Sequence, residues 1–153
     1  MTRGDAMNAL ETVATPFASE PHMEQWLGFL TAYCQGWSTG DAEMIRSAVA
    51  DDFVWDDPEE DRVSKAGLGA FLPKFKERID RLRYASPATS YITLSDWVVD
   101  RNQPTMTVWC CFAVPGTDIH GTSQIRVGNE GVISEHRAYR KDPSLRVAGI
   151  RGW

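Results

Sequence analysis

Residues 33–58 read YCQGWSTGDAEMIRSAVADDFVWDDP, and the punctuation inside this run decides how the rest of the chain is parsed. Leading into it, Met23, Trp26, Leu27, Leu30, Tyr33, Cys34 and Trp37 recur in steps of three and four, the spacing of one buried helical face. This predicts a first helix over residues 21–38, with Pro21 suited to its first turn. Gly40 ends that segment, and Asp41 can cap a second, short helix whose Met44, Ile45, Ala48 and Val49 form a single apolar stripe. The period then falls to two. Residues 52–57, DFVWDD, alternate as a strand that stops at Pro58, so Phe53, Trp55 and Asp57 share one face and Val54 and Asp56 the other.

Working outward, residues 59–67, EEDRVSKAG, form a polar loop, after which Leu68, Phe71, Leu72, Phe75, Ile79 and Leu82 restore helical spacing. Pro73 is expected to kink this third helix or to confine its regular part to the residues C-terminal to it. From about residue 84 the period is two again. Segments near 90–100, 104–115, 118–128 and 132–140 are separated by the turn signals RNQP, PGT and GNEG, which predicts four antiparallel strands. Helices first, a meander of strands afterwards and no βαβ rhythm give an α+β domain, with three N-terminal helices packed on a curved, mainly antiparallel sheet. Residues 1–20 read as a flexible leader, 21–141 as the domain and 142–153 as a C-terminal tail.

The bulk properties exclude several classes of function. A chain of 153 residues fits one domain with a core of ordinary size. No window approaches the apolar length of a membrane span, and a net charge of -5 without a Lys/Arg stripe argues against nucleic acid. Small neutral or weakly polar ligands fit better. The first 20 residues lack the continuous apolar stretch that secretion requires, which predicts a cytoplasmic location. Cys34, Cys110 and Cys111 cannot pair completely and read as reduced structural thiols. The acidic run Asp56, Asp57, Glu59, Glu60, Asp61 lacks the alternating ligands and central Gly of a calcium loop, so no metal is expected. No serine-nucleophile elbow, phosphate-binding loop or dinucleotide fingerprint is present, and no cofactor is expected.

The run from Tyr33 to Pro58 resembles the nuclear transport factor 2-like superfamily, and within it the ketosteroid isomerase and SnoaL-like polyketide cyclase branches. The resemblance rests on the aromatic late in the first helix, the Gly40-Asp41 corner, the Ala50-Asp51-Asp52 helix exit and the Asp57-Pro58 strand end. Residues 125–140, IRVGNEGVISEHRAYR, are similar in the same way, and the order of elements extends the likeness to residues 22–140. It implies a cone-shaped α+β barrel, a homodimer formed through the outer face of the sheet, and Tyr33 and Asp57 facing each other across one enclosed pocket. It does not imply a reaction, because this scaffold hosts isomerases, cyclases, dehydratases, epoxide hydrolases and plain binding proteins.

An acid beside two inward aromatic rings is poorly solvated when ionised, an environment that suits a general base, and the resemblance assigns Asp57 the abstraction of a proton beside a carbonyl. The other reading is a loop-capping aspartate before a proline. For Tyr33 the resemblance implies a hydrogen bond to the substrate oxygen, with a core tyrosine bonded to backbone or to Asp57 as the alternative. Parity in the last strand separates Ser134, His136, Ala138 and Arg140 from Ile133, Glu135, Arg137 and Tyr139. Alignment with the isomerase hairpin turns the first set inward, making His136 a proton relay and Arg140 a substrate contact, unless His136 is merely structural. Ser123 occupies the position where the isomerases carry a protonated acid, and a serine can donate one hydrogen bond there without replacing that acid. The Asp-Arg-Asp relay of the limonene epoxide hydrolase branch is not evident. Trp55, Phe53 and Phe75 would supply apolar walls. The expected function is cofactor-free acid/base chemistry, as an isomerase, cyclase or lyase acting on a hydrophobic ring-bearing metabolite; the alternative is a noncatalytic ligand-binding or dimerisation module.

Overall fold

The chain is represented by a computed structural model that describes residues 22–83, 90–102 and 104–139; the expected leader, the expected tail and Arg140 lie outside the described residues. Helix α1 (Met23–Thr39) buries Met23, Trp26, Leu30, Tyr33 and Trp37, the stripe expected from the spacing. It stops because Gly40 turns left-handed at φ 69°, and the Asp41 N–H then donates to the Gly36 carbonyl at 2.9 Å. The Asp41 carboxylate accepts the backbone N–H groups of Glu43 and Met44, both at 3.0 Å, and so starts α2 (Ala42–Ala48).

Strand β1 (Val49–Asp56) begins three residues earlier than the alternation of 52–57 predicts, and the expected loop contains a short strand, β2 (Val63–Ser64), paired with β1. Helix α3 (Leu68–Leu82) runs through Pro73, so its regular part includes residues on both sides of the proline. Pro73 has no N–H for the Gly69 carbonyl, but Gly69 is exposed and water can take that place. Strands β3 (Thr93–Asn102), β4 (Thr105–Ala113), β5 (His120–Gly128) and β6 (Gly131–Tyr139) complete a six-stranded sheet of order β2-β1-β6-β5-β4-β3. All neighbours are antiparallel except β1 and β6, which are parallel. Three helices packed on this curved, mostly antiparallel sheet give the expected α+β fold. No helix among the described residues is long and apolar enough to cross a membrane.

The helical layer meets the sheet through aromatic rings. Trp37 stacks on Trp55 with centroids 5.4 Å apart and meets Phe75 edge-on at 5.9 Å, while Tyr33 meets Phe53 edge-on at 5.8 Å. The hairpin of β5 and β6 carries a bulge that reorients the last strand. Val127 pairs with Val132 but Arg126 pairs with Ser134, so Ile133 is an extra residue and everything beyond it moves to the opposite face. Ser123 therefore lies opposite Arg137, whereas an unbroken ladder from the turn would set it opposite His136.

Candidate functional site

The bulge reverses the expected parity of β6. Glu135 and Arg137 are buried at 0% and 7% exposure and Tyr139 is half-buried, while His136 and Ala138 face out. The His136 ring is half exposed, with Nδ1 3.4 Å from Asp56 on the outer surface, so the structure does not bring it to the pocket side.

Glu135 organises the buried polar groups. Tyr33 donates its hydroxyl to Glu135 Oε2 at 2.5 Å, and Ser123 Oγ and Arg137 Nε donate to Oε1 at 2.7 and 2.6 Å. Three donors converge on one side chain, which therefore acts as an acceptor throughout. The guanidinium of Arg137 lies 5.2, 5.0 and 4.7 Å from the ring centroids of Trp37, Trp55 and Phe112. Burial alone would lower its proton affinity, but the charge of the Glu135 carboxylate and its hydrogen bond to the guanidinium hold it above the usual arginine value. Among the described residues Arg137 is thus paired with Glu135 alone, while the Asp57 carboxylate is engaged elsewhere, by the Glu59 N–H and the Tyr139 hydroxyl.

Asp57 follows β1 on the same face as Phe53 and Trp55, as alternation predicts, and is 2% exposed. Its Oδ1 accepts the Glu59 N–H at 2.9 Å, and its Oδ2 accepts the Tyr139 hydroxyl at 2.7 Å. Burial first, then Asp57, pushes the Tyr139 phenol well above its ordinary value, and burial first, then Glu135, does the same to Tyr33. Both hydroxyls remain protonated donors at neutral pH.

Beside these groups lies a solvent-open cavity of about 420 Å³, inside the range of small-molecule sites. Phe75, Ile79, Phe112, Val114 and Ile119 supply its apolar wall, and Arg137 and Tyr139, with Glu59, Glu60, Arg78, Asp118 and His120, its polar wall. The expectation that Tyr33 and Asp57 face each other across an enclosed pocket is not met. The Tyr33 hydroxyl is spent on Glu135, and Tyr139 stands between Asp57 and the open volume. Of the expected walls, Phe75 lines the cavity, whereas Phe53 and Trp55 pack in the core against Tyr33 and Trp37. Ser123 is 1% exposed and bonded to Glu135 rather than to the cavity, and Arg140 is not among the described residues. Among the described residues no group of three or more His, Cys, Asp or Glu side chains is placed to hold a metal.

Glu135, Arg137 and Tyr139 are the residues that sequence reasoning missed. A signal for them existed: Glu and Arg two positions apart on a strand share a face and can pair with each other.

Three helices on a curved, mostly antiparallel sheet give the nuclear transport factor 2-like, cystatin-like fold. Residues 30–136 match the SnoaL-like domain, and the chain belongs to that family. A nuclear transport factor 2-like protein of cystatin-like fold from Novosphingobium aromaticivorans is similar at 14% identity and a TM-score of 0.58, over 78% of this chain and 82% of that one. A Xanthomonas campestris protein described as a candidate polyketide cyclase is similar at 16% identity and a TM-score of 0.51, over 76% and 91%. A Catenulispora acidiphila protein with a ketosteroid isomerase-like fold, in complex with trimethylamine, is similar at 13% identity and a TM-score of 0.50, over 72% and 84%. No functionally curated protein matches the chain. At these identities the structural likeness speaks for the fold alone.

Proposed function

We propose that this SnoaL-like domain is a cofactor-free enzyme that moves a proton on a hydrophobic, ring-bearing small molecule, in the manner of an isomerase, cyclase or lyase. The observation that carries the reading is the Asp57–Tyr139 pair: a carboxylate 2% exposed, bonded at 2.7 Å to a phenol that lines a cavity with an apolar wall formed by Phe75, Ile79, Phe112, Val114 and Ile119. Asp57 is the base. Because Tyr139 covers it, the route from substrate to Asp57 passes through the phenol, whose oxygen takes up a proton as its own passes to Oδ2. Tyr33 and Ser123 hold Glu135 in place and do not touch substrate. His136, on the outer surface, has no part in this route.

The test is α-proton exchange of cyclic ketones and 1,3-diketones in D2O, followed by NMR. Asp57→Asn is expected to abolish exchange while saturable ligand binding persists. Equal exchange in the variant and the native protein sinks the assignment, and binding without exchange across the panel favours a ligand sink of the same fold. We further propose a homodimer through the outer sheet face, where the cross-strand neighbours Val98 and Trp109 are 63% and 49% exposed. A monomer in sedimentation would count against it. Three free cysteines support a reducing, cytoplasmic setting.

A further inference from the structure

The cavity opens to solvent past acidic side chains that stand over an apolar interior. Glu59 and Asp118 are exposed lining residues, and Glu60, also in the lining, is paired with Arg78. Inside, Phe75 and Ile79 from α3, Phe112 and Val114 from the end of β4, and Ile119 before β5 form the apolar wall. The buried charges do not reverse the sign, because Arg137 is matched by Glu135 and Asp57 adds a further negative charge. Such a surface repels anions and suits an apolar group flanked by cations. The sequence after Tyr139 has that chemistry. Residues 140–153, RKDPSLRVAGIRGW, hold Arg140, Lys141, Arg146 and Arg151 against the single acid Asp142. That is a net +3 in a chain whose total is -5, which leaves -8 on residues 1–139. Leu145, Val147, Ile150 and Trp153 are interleaved with Arg146 and Arg151. Strand β6 ends at Tyr139, itself part of the cavity wall, so this stretch is tethered at the cavity.

We propose that the cavity is a docking surface for residues 145–153 of the same chain, with Trp153 against the apolar wall and Arg146 and Arg151 at Glu59 and Asp118. Tryptophan and arginine are the side chains that most often carry the binding energy of a protein contact, and a volume of about 420 Å³ has room for an indole. The chain can make the return. Asp142 before Pro143 is barred from the helical region and favours a turn. At about 3.3–3.6 Å per residue, the stretch from Tyr139 to Leu145 spans about 20 Å at most, enough to clear the mouth and double back. The tether also sets the strength required. A short linker holds its segment at an effective concentration on the order of millimolar, so a contact too weak to join separate molecules keeps the segment docked. A small molecule then reaches Tyr139 only when the segment steps aside, and its apparent affinity is reduced by the fraction of molecules that are closed. The docking stands whether or not Asp57 and Tyr139 move a proton.

The experiment uses the full chain labelled with 5-fluorotryptophan and reads the fluorine NMR resonance of Trp153, assigned by Trp153→Phe. Its shift between H2O and D2O measures solvent contact, and a peptide of residues 140–153 gives the fully exposed value. In the native chain the Trp153 shift is expected to be a small fraction of the peptide's. Glu59→Lys/Asp118→Lys, at two exposed positions, is expected to lower the ratio of docked to free segment about fivefold or more, the scale of two exposed ion pairs lost together. Adding Arg146→Glu/Arg151→Glu to that variant reverses both partners and is expected to restore the protection, which a merely structural role of either acid would not do. If the lysine variant does not fold, Glu59→Gln/Asp118→Asn carries the same expectation with a smaller change. Four results overturn the proposal: a native Trp153 as exposed as in the peptide, protection that the acid variants leave untouched, loss that the compensating tail variant does not restore, or protection that disappears on dilution, which would put the segment on a second copy.

Discussion

Glu135→Gln tests the electrostatic heart of the fold. The side chains of Glu135 and Arg137 are 0% and 2% exposed and lie 2.6 Å apart, so each is the counterion that the other requires. Glutamine keeps the shape and one acceptor oxygen for Tyr33 or Ser123 and removes the charge. The guanidinium is then stranded against Trp37, Trp55 and Phe112, and breaking a buried pair in this way costs about 3–5 kcal/mol. That is a large share of the roughly 5–15 kcal/mol by which domains are stable. At about 2–4 °C per kcal/mol for a chain of this size, the melting temperature should fall by roughly 6–20 °C. Glu135→Gln/Arg137→Met removes the stranded charge as well, and losing both partners is far cheaper than losing one, so the double variant should recover at least about 2 kcal/mol. Urea unfolding at pH 7, followed by tryptophan fluorescence and by far-UV circular dichroism, measures each corner of the cycle. A single variant that loses less than about 1 kcal/mol, or a double variant less stable than the single, refutes the reasoning.

Two further outcomes are expected from the same core. A Cβ on Gly121 would lie 2.1 Å from the Ala138 carbonyl oxygen and 2.8 Å from the Phe112 ring, against backbone that cannot yield, so Gly121→Ala should cost about 1–3 kcal/mol or more and weaken ligand binding by displacing Tyr139. Unchanged urea midpoint and affinity would contradict the packing described. At high pH, the folded state keeps the Tyr33 proton to a higher pH than the unfolded chain does, because burial and then Glu135 raise the phenol's value. This contribution is intact below about pH 10 and falls as pH rises beyond it, with a slope of up to about 1.4 kcal/mol per pH unit for one tyrosine. Tyr33→Phe should flatten the decline in urea-derived stability between pH 9.5 and 11, and an identical slope in the variant would exclude Tyr33 as its source.

What could be read from the sequence was whatever local chemistry dictates. The stripe from Met23 to Trp37, the Gly40 stop, the Asp41 cap and the inward set Phe53, Trp55, Asp57 each depend on residues within one turn or one strand, and they stand where the spacing put them. The face of β6 depends instead on a bulge at Ile133, and β6 is the strand that must satisfy two neighbours at once, β5 antiparallel and β1 parallel. Its ladder with β1 shifts register as well, between Val49 and Val54, and the Gly131 turn presses on the backbone of residues 48–50, where a Cβ would lie 2.7 Å from the Ala48 oxygen. Such accommodations among three strands leave no periodic mark. Polar accounting does discriminate between the two faces. Turning His136 inward would take a titratable ring out of water and leave Tyr33 and Ser123 without a carboxylate. Turning Glu135 and Arg137 inward buries two charges that neutralise each other at 2.6 Å and gives both hydroxyls an acceptor. The bulge is therefore tied to the polar core: without the extra residue at Ile133, the fold would bury the strand face that cannot satisfy Tyr33.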